Sequence, residues 1–217
     1  MTSIKDAVLD RMDALSEAEV WRLERLSSRE KVLLSLAAEV CLPATGLERQ
    51  LELARRHGVP ARAMRDAIRF VAYESGYALA SAAMSALGPD TNDDPVSAEA
   101  IGEAAVEDVN PMPPPVQAQL AALDPRFARF MVMQSRMRRD HLTSLTQRER
   151  GMISMTADIM CQTLGETFRV HAGRAHRGGA DAETLREVVC FAAPYGVTRV
   201  WNALEALNGF VGSLAAP

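Results

Sequence analysis

His171 is the residue of this chain best suited to chemistry at neutral pH, because an imidazole with a pKa near ~6.5 both gives and takes protons there. Thr167 stands four residues before it and Arg174 three after, so on a helix the three share a face. An imidazole beside a guanidinium can hold a carboxylate and move a proton close by. Glu166 is the second candidate for catalysis, although five residues of helix turn it about ~140° away from His171. Thr163-x-x-Glu166 also has the spacing of a capping box, which Thr45-x-x-Glu48 repeats, so a helix cap is the competing role for Glu166. Cys161, Tyr195, Arg199 and Trp201 complete the set of candidate substrate contacts, with Arg199 suited to a carboxylate or enolate. Cys161, like Cys41, also fits as a small buried hydrophobe, and Trp201 as interface packing. Asp158, on an otherwise apolar stretch, could orient an arginine or a substrate hydroxyl. The three cysteines, Cys41, Cys161 and Cys190, are far apart and form no C-x-x-C, which argues against a zinc site and a disulfide framework.

The elements that must position these residues read as helices throughout. Apolar residues recur at three- and four-residue steps, and no run of alternating β-branched residues signals a sheet, so the fold class is all-α. Residues 2–26 predict two helices with Ile4, Val8, Met12 and Leu15 inward, the second started by Ser16 and Glu19. Ser27 or Ser28 opens a helix to about Cys41, Thr45 restarts one toward Arg56, and Pro60 begins the next. The stretch from Gly88 to Pro115 holds six of the eleven prolines around a short acidic segment that can form a helix, Ser97 to Val109. Helical spacing resumes from Val116 to Met137, and the helix bearing His171 is expected from Leu164 to Arg177.

Composition bounds the function classes. At 217 residues, with 48% apolar and 24% charged residues, the chain is globular and long enough for one large domain or two small ones. A net charge of −4 provides no basic footprint for nucleic acid. No run approaches the ~18 apolar residues of a membrane span. The first residues lack the basic-then-apolar layout of a signal peptide, so the default location is the cytoplasm.

The chain also resembles itself at a near-constant offset. Leu26-S-S-R-E-K matches Leu145-T-Q-R-E-R, Cys41 matches Cys161, Phe70 matches Phe191, and Gly76 to Leu87 match Gly196 to Leu207. This predicts two tandem helical repeats: residues 1–88, a linker at 89–115, and residues 116–217. The copies differ where chemistry is expected. Gln50 takes the place of His171, Leu79 that of Arg199 and Ser81 that of Trp201. That contrast assigns the site to the second copy alone.

The order L-x-x-R-E-R, His171, Ala175, Gly179, Glu187, Tyr195-Gly196 and Asn202-Ala203-Leu204 resembles the carboxymuconolactone decarboxylase family, which shares the all-helical fold of the alkylhydroperoxidase AhpD. The resemblance implies an AhpD-like fold, a pocket containing His171, and a homo-oligomer with a trimer favoured. It implies a carbon–carbon lyase without a cofactor, acting on a small lactone or a keto or enol carboxylic acid. The same pocket could run an isomerisation or cyclisation on a biosynthetic intermediate. A thiol peroxidase of the AhpD type would need the C-x-x-C that this chain lacks. A helical scaffold without catalysis is the remaining alternative.

Overall fold

The computed structural model describes residues 6–42, 47–88, 96–139 and 141–214. Two capping boxes start the helices at its centre. Ser27 accepts from the Glu30 N–H while the Glu30 carboxylate accepts from the Ser27 N–H, which opens α2 (Ser28–Cys41). Thr146 and Glu149 repeat the arrangement at the head of α9 (Gln147–Cys161). Satisfying these otherwise unpaired N–H groups is worth roughly 0.5–2 kcal/mol per cap.

The same two carboxylates then tie the halves together. Arg29 Nε donates to Glu149 at 2.6 Å, and Arg148 Nε donates to Glu30 at 2.7 Å. Asp66 accepts from the N–H and hydroxyl of Ser144, while Glu187 accepts from the N–H groups of Glu24 and Arg25. These pairs sit at the offsets visible in the sequence, so contacts made by one half on the other are returned in kind. Around α2 and α9 the first half adds α1 (Ala7–Trp21), α3 (Glu48–Arg56), α4 (Ala61–Ser75) and α5 (Tyr77–Leu87). The second half adds α10 (Glu166–Arg177), α11 (Ala182–Phe191), a short 3-10 turn over Ala193–Tyr195, and α12 (Val197–Leu214). One apolar core runs through both halves, with Leu33, Leu36, Ile68, Ile153, Ile159 and Phe168 fully enclosed. No strand occurs among the described residues, so the all-α class read from the periodicity holds.

Two local expectations need correction. α1 runs unbroken through Ser16, whose hydroxyl bonds back to the Met12 carbonyl instead of capping a second helix. Its apolar stripe faces outward, with Val8 68%, Met12 59% and Leu15 53% exposed; Ile4 lies outside the described residues. The helical spacing over residues 116–137 holds, divided between two helices. Asp124 accepts from the N–H groups of Arg126 and Phe127, and this separates α7 (Pro114–Leu123) from α8 (Pro125–Arg139). The expected acidic helix is present as α6 (Ala98–Val106), capped by Ser97. α6 and α7 pack on α8, and α8 leans on α4, so the second half of the proline-rich stretch is built into the fold.

Gly151 sets the crossing that positions the site. A Cβ there would lie 2.3 Å from the Ala175 nitrogen, so only bare backbone lets α10 pass α9 this closely. From that contact Asp158 is two turns further along α9, and His171 is one turn back along α10. The helices run in opposite directions, and the two side chains meet.

Candidate active site

His171 Nδ1 lies 2.7 Å from Asp158 Oδ2, and both residues are buried. An ionised carboxylate can only accept, so the imidazole carries its proton on Nδ1 and leaves Nε2 as the group that exchanges protons. Asp158 is itself fixed, because its other oxygen accepts from the Thr163 hydroxyl at 2.7 Å. This explains the acidic residue in an apolar helix: it orients the histidine. The expected capping box of Thr163 and Glu166 does not form, because α10 begins only at Glu166 and Gly165 precedes it without a side-chain cap. In the first half α3 likewise begins at Leu47 without a side-chain cap, and Thr45 lies outside the described residues.

Facing His171 Nε2 is Glu74 Oε1 at 4.0 Å, contributed by α4 of the first half. Glu74 Oε1 accepts from the Ser154 hydroxyl at 2.9 Å and from Arg138 at 3.1 Å, whereas Oε2 is buried with no hydrogen-bond partner. The Arg138 guanidinium lies over the Tyr73 ring at 3.6 Å and the Phe70 ring at 4.7 Å, which fixes its plane. These groups line a cavity of about 720 Å³. Its floor is polar and its roof, from Pro111 to Met131, is apolar, with Leu120, Leu123 and Phe127 among the residues that form it.

Arg174 is the least compensated charge in this cavity. Among the described residues its guanidinium makes no hydrogen bond and no ion pair. Burial, then the like charges of Arg138, Arg150 and Arg177, pull it down to about 10, with Glu74 acting in the opposite direction. A desolvated cation without a counterion is a binding site for an anion.

The sequence-derived candidates divide into two groups. His171, Arg174, Thr167, Glu166 and Cys161 all line the cavity. Thr167 gives its hydroxyl to the Thr163 carbonyl, and Glu166 sits at the rim with a 57% exposed side chain paired to Arg169. Cys161 is exposed, contrary to the expectation of a buried hydrophobe. Tyr195, Arg199 and Trp201 are not in the cavity wall. Tyr195 reaches Ser35 of α2, where burial pushes its hydroxyl up to about 12. Arg199 bonds the Tyr195 carbonyl, and Trp201, 66% exposed, donates to Glu205 one turn along α12. Asn202 has a structural role, donating to Gln162 and so joining α12 to the turn between α9 and α10.

Glu74, Arg138, Tyr73 and the roof were not identified from the sequence. The first half was read as lacking a site, yet it contributes Glu74, Tyr73 and Phe70 to this one. The self-similarity of the sequence held the usable signal: Glu74 and Tyr195 stand at the same offset as Phe70 and Phe191 and differ in chemistry.

Residues 128–209 match the carboxymuconolactone decarboxylase family. The matched span runs from α8 into α12 and includes Arg138, Asp158, His171 and Arg174. No curated protein matches the chain.

Proposed function

Residues 128–209 being of the carboxymuconolactone decarboxylase family, we propose that this chain is an enzyme of cofactor-independent acid–base chemistry, acting as a decarboxylase on an organic acid with an apolar body. One observation carries the reading: an uncompensated guanidinium, Arg174, shares a cavity with a histidine held by a buried carboxylate. The anion that satisfies Arg174 is placed beside Nε2. The size of the cavity and its apolar roof favour an acid whose body is an aromatic or extended apolar group.

For a β-keto or vinylogous acid the substrate supplies its own electron sink. The carbon–carbon bond to the carboxylate breaks, CO2 leaves, and the electron pair moves to the carbonyl oxygen as an enolate. Arg174 meets that charge beside a buried histidine, where a preorganised cation is worth more than one in solvent. His171, protonated on Nε2 and steadied by Asp158, then gives its proton to carbon. Removing an acid or base of this kind typically lowers the rate about 10²–10⁴-fold.

A second reading is favoured by Glu74 Oε2, a buried carboxylate oxygen without a partner. With Nε2 and Glu74 on adjacent sides of one cavity, a proton taken from carbon by one group can be returned by the other, which is isomerisation. The deciding experiment offers the protein β-keto and vinylogous aromatic acids and traps released CO2. CO2 from the wild type and none from His171→Gln is the expected result. Consumption of substrate without CO2 overturns decarboxylation in favour of proton relocation. No consumption of any acid, with no binding detected by calorimetry, overturns both.

A further inference from the structure

The cavity changes chemistry along a single helix face. Phe127, Met131, Ser135 and Arg138 follow one another on α8 at steps of four, four and three residues, and all of them line the cavity. The face therefore passes from two apolar side chains through a hydroxyl to a guanidinium. From Phe127 to Arg138 the helix rises about 16 Å. α7 widens the apolar end, because Val116, Leu120 and Leu123 lie at helical spacing and also line the cavity. The Asp124 cap fixes the turn that brings Leu123 and Phe127 to the cavity from either side of it. Leu120 is buried, whereas Leu123 is 72% and Phe127 47% exposed, so the mouth offers apolar surface that the fold itself leaves uncovered.

We propose that the acid taken by this site is long-tailed: its carboxylate sits at Arg174, and an unbranched apolar tail runs along the α8 face to Leu123 and Phe127, which set the preferred length. This rests on the reading of Arg174 as the carboxylate anchor. Arg138, at the deep end of the face, is close enough to Arg174 for their like charges to oppose one another, so anchor and charged end coincide. A short acid satisfies Arg174 and leaves Leu123 and Phe127 facing water. A long one covers both, and removing that apolar surface from water is the gain. Phe70 of α4 and Val170 of α10 also line the cavity, so the tail meets apolar side chains besides those of the roof. The carbon next to the carboxylate stays beside His171 while only the tail reaches the mouth, which separates selection by length from proton transfer.

Saturated unbranched carboxylates test this without turnover, because they carry no electron sink. Calorimetry of the full chain with hexanoate, octanoate, decanoate and dodecanoate should show affinity rising about 3–4-fold per methylene, then levelling off once the tail clears the mouth. Phe127→Ser should weaken dodecanoate about 10-fold and leave hexanoate unchanged, and Leu123→Ser should follow the same pattern. Both side chains are exposed, so both variants should fold. Phe130→Ser is the control: Phe130 is 50% exposed on the same helix but does not line the cavity, and every affinity should stay as it was. Equal affinity for hexanoate and dodecanoate, no binding of any member, or a Phe130→Ser loss that matches Phe127→Ser overturns the tail site. A rising series in a protein that releases no CO2 from keto acids overturns decarboxylation alone, and a flat series in one that does release it overturns the tail assignment alone.

Discussion

The His171 site has a counterpart in the first half, and the two differ at every position that matters for proton transfer. Where His171 contacts Asp158 at 2.7 Å, Gln50 donates to Glu39 at 3.3 Å. Where Glu74 reaches across from the first half, Tyr195 reaches across from the second toward Ser35. Leu53 takes the place of Arg174, and burial raises the Glu39 carboxyl against the opposing pull of Arg49 and the Gln50 hydrogen bond. α1 covers this counterpart, with Arg49 paired to Asp13 and Glu17, whereas α7 and α8 roof a cavity on the other side. An amide neither gives nor takes a proton at neutral pH, so the first-half arrangement keeps the hydrogen bond and lacks the chemistry. The contrast teaches that a hydrogen bond between a helix carboxylate and the polar side chain facing it is a packing solution common to both halves, and that only the second half places a titratable histidine in it.

That comparison can be broken deliberately. The largest effect is expected from His171→Gln, which makes the second site resemble the first. Its kcat should fall about 10²–10⁴-fold with the thermal midpoint little changed, and retention of full turnover would show that the histidine only packs. Arg174→Leu, which again copies the first half, should weaken binding of an acid about 10–100-fold, as expected for the loss of a charge-assisted contact. The same change should stabilise the unliganded fold by about 1 kcal/mol, raising the midpoint by roughly 2–4 °C, because it removes a desolvated charge with no partner. Calorimetry with and without ligand reads both signs.

The reciprocal pairs test whether the halves are equivalent as structure. Arg29→Ala and Arg148→Ala each leave a buried carboxylate, Glu149 or Glu30, without its cation. Each should lower stability by about 1–3 kcal/mol in urea unfolding, by similar amounts. A large inequality would mean that the matching contacts do not carry matching loads. The smallest effect is expected at α1. Met12→Lys or Leu15→Lys should change single-chain stability by under about 0.5 kcal/mol, since both side chains are exposed. If copies of the chain assemble through this stripe, light scattering will report a lower mass for the same variants.

Periodicity and cap signals made most of the fold legible, because each depends on residues a few positions apart. Ser27 and Glu30 are of this kind, and so is Ser97. The failures have physical causes. Thr163 and Glu166 have the spacing of a cap, yet α10 starts at Glu166 itself, and the Thr163 hydroxyl holds Asp158 instead. Val8, Met12 and Leu15 make a stripe that local spacing identifies, but which surface it faces is a tertiary property. His171 and Arg174 were found because they lie on one helix turn. Glu74 was missed because it comes from the other half, and only the reciprocal packing of α2 and α9 brings it near.

The roof over the cavity has one further consequence. It comes from a single continuous run, Pro111 to Met131, and that run contributes nothing to the Arg29–Glu149 and Arg148–Glu30 pairs or to the Gly151 crossing. The part of the molecule that roofs the cavity is therefore distinct from the contacts that hold the two halves together, while α8 joins it to Arg138 beneath. Such a segment can diversify, or be exchanged as a cassette, while the reactive centre beneath it stays as it is, so that new substrates require new loops and helices only at the lid.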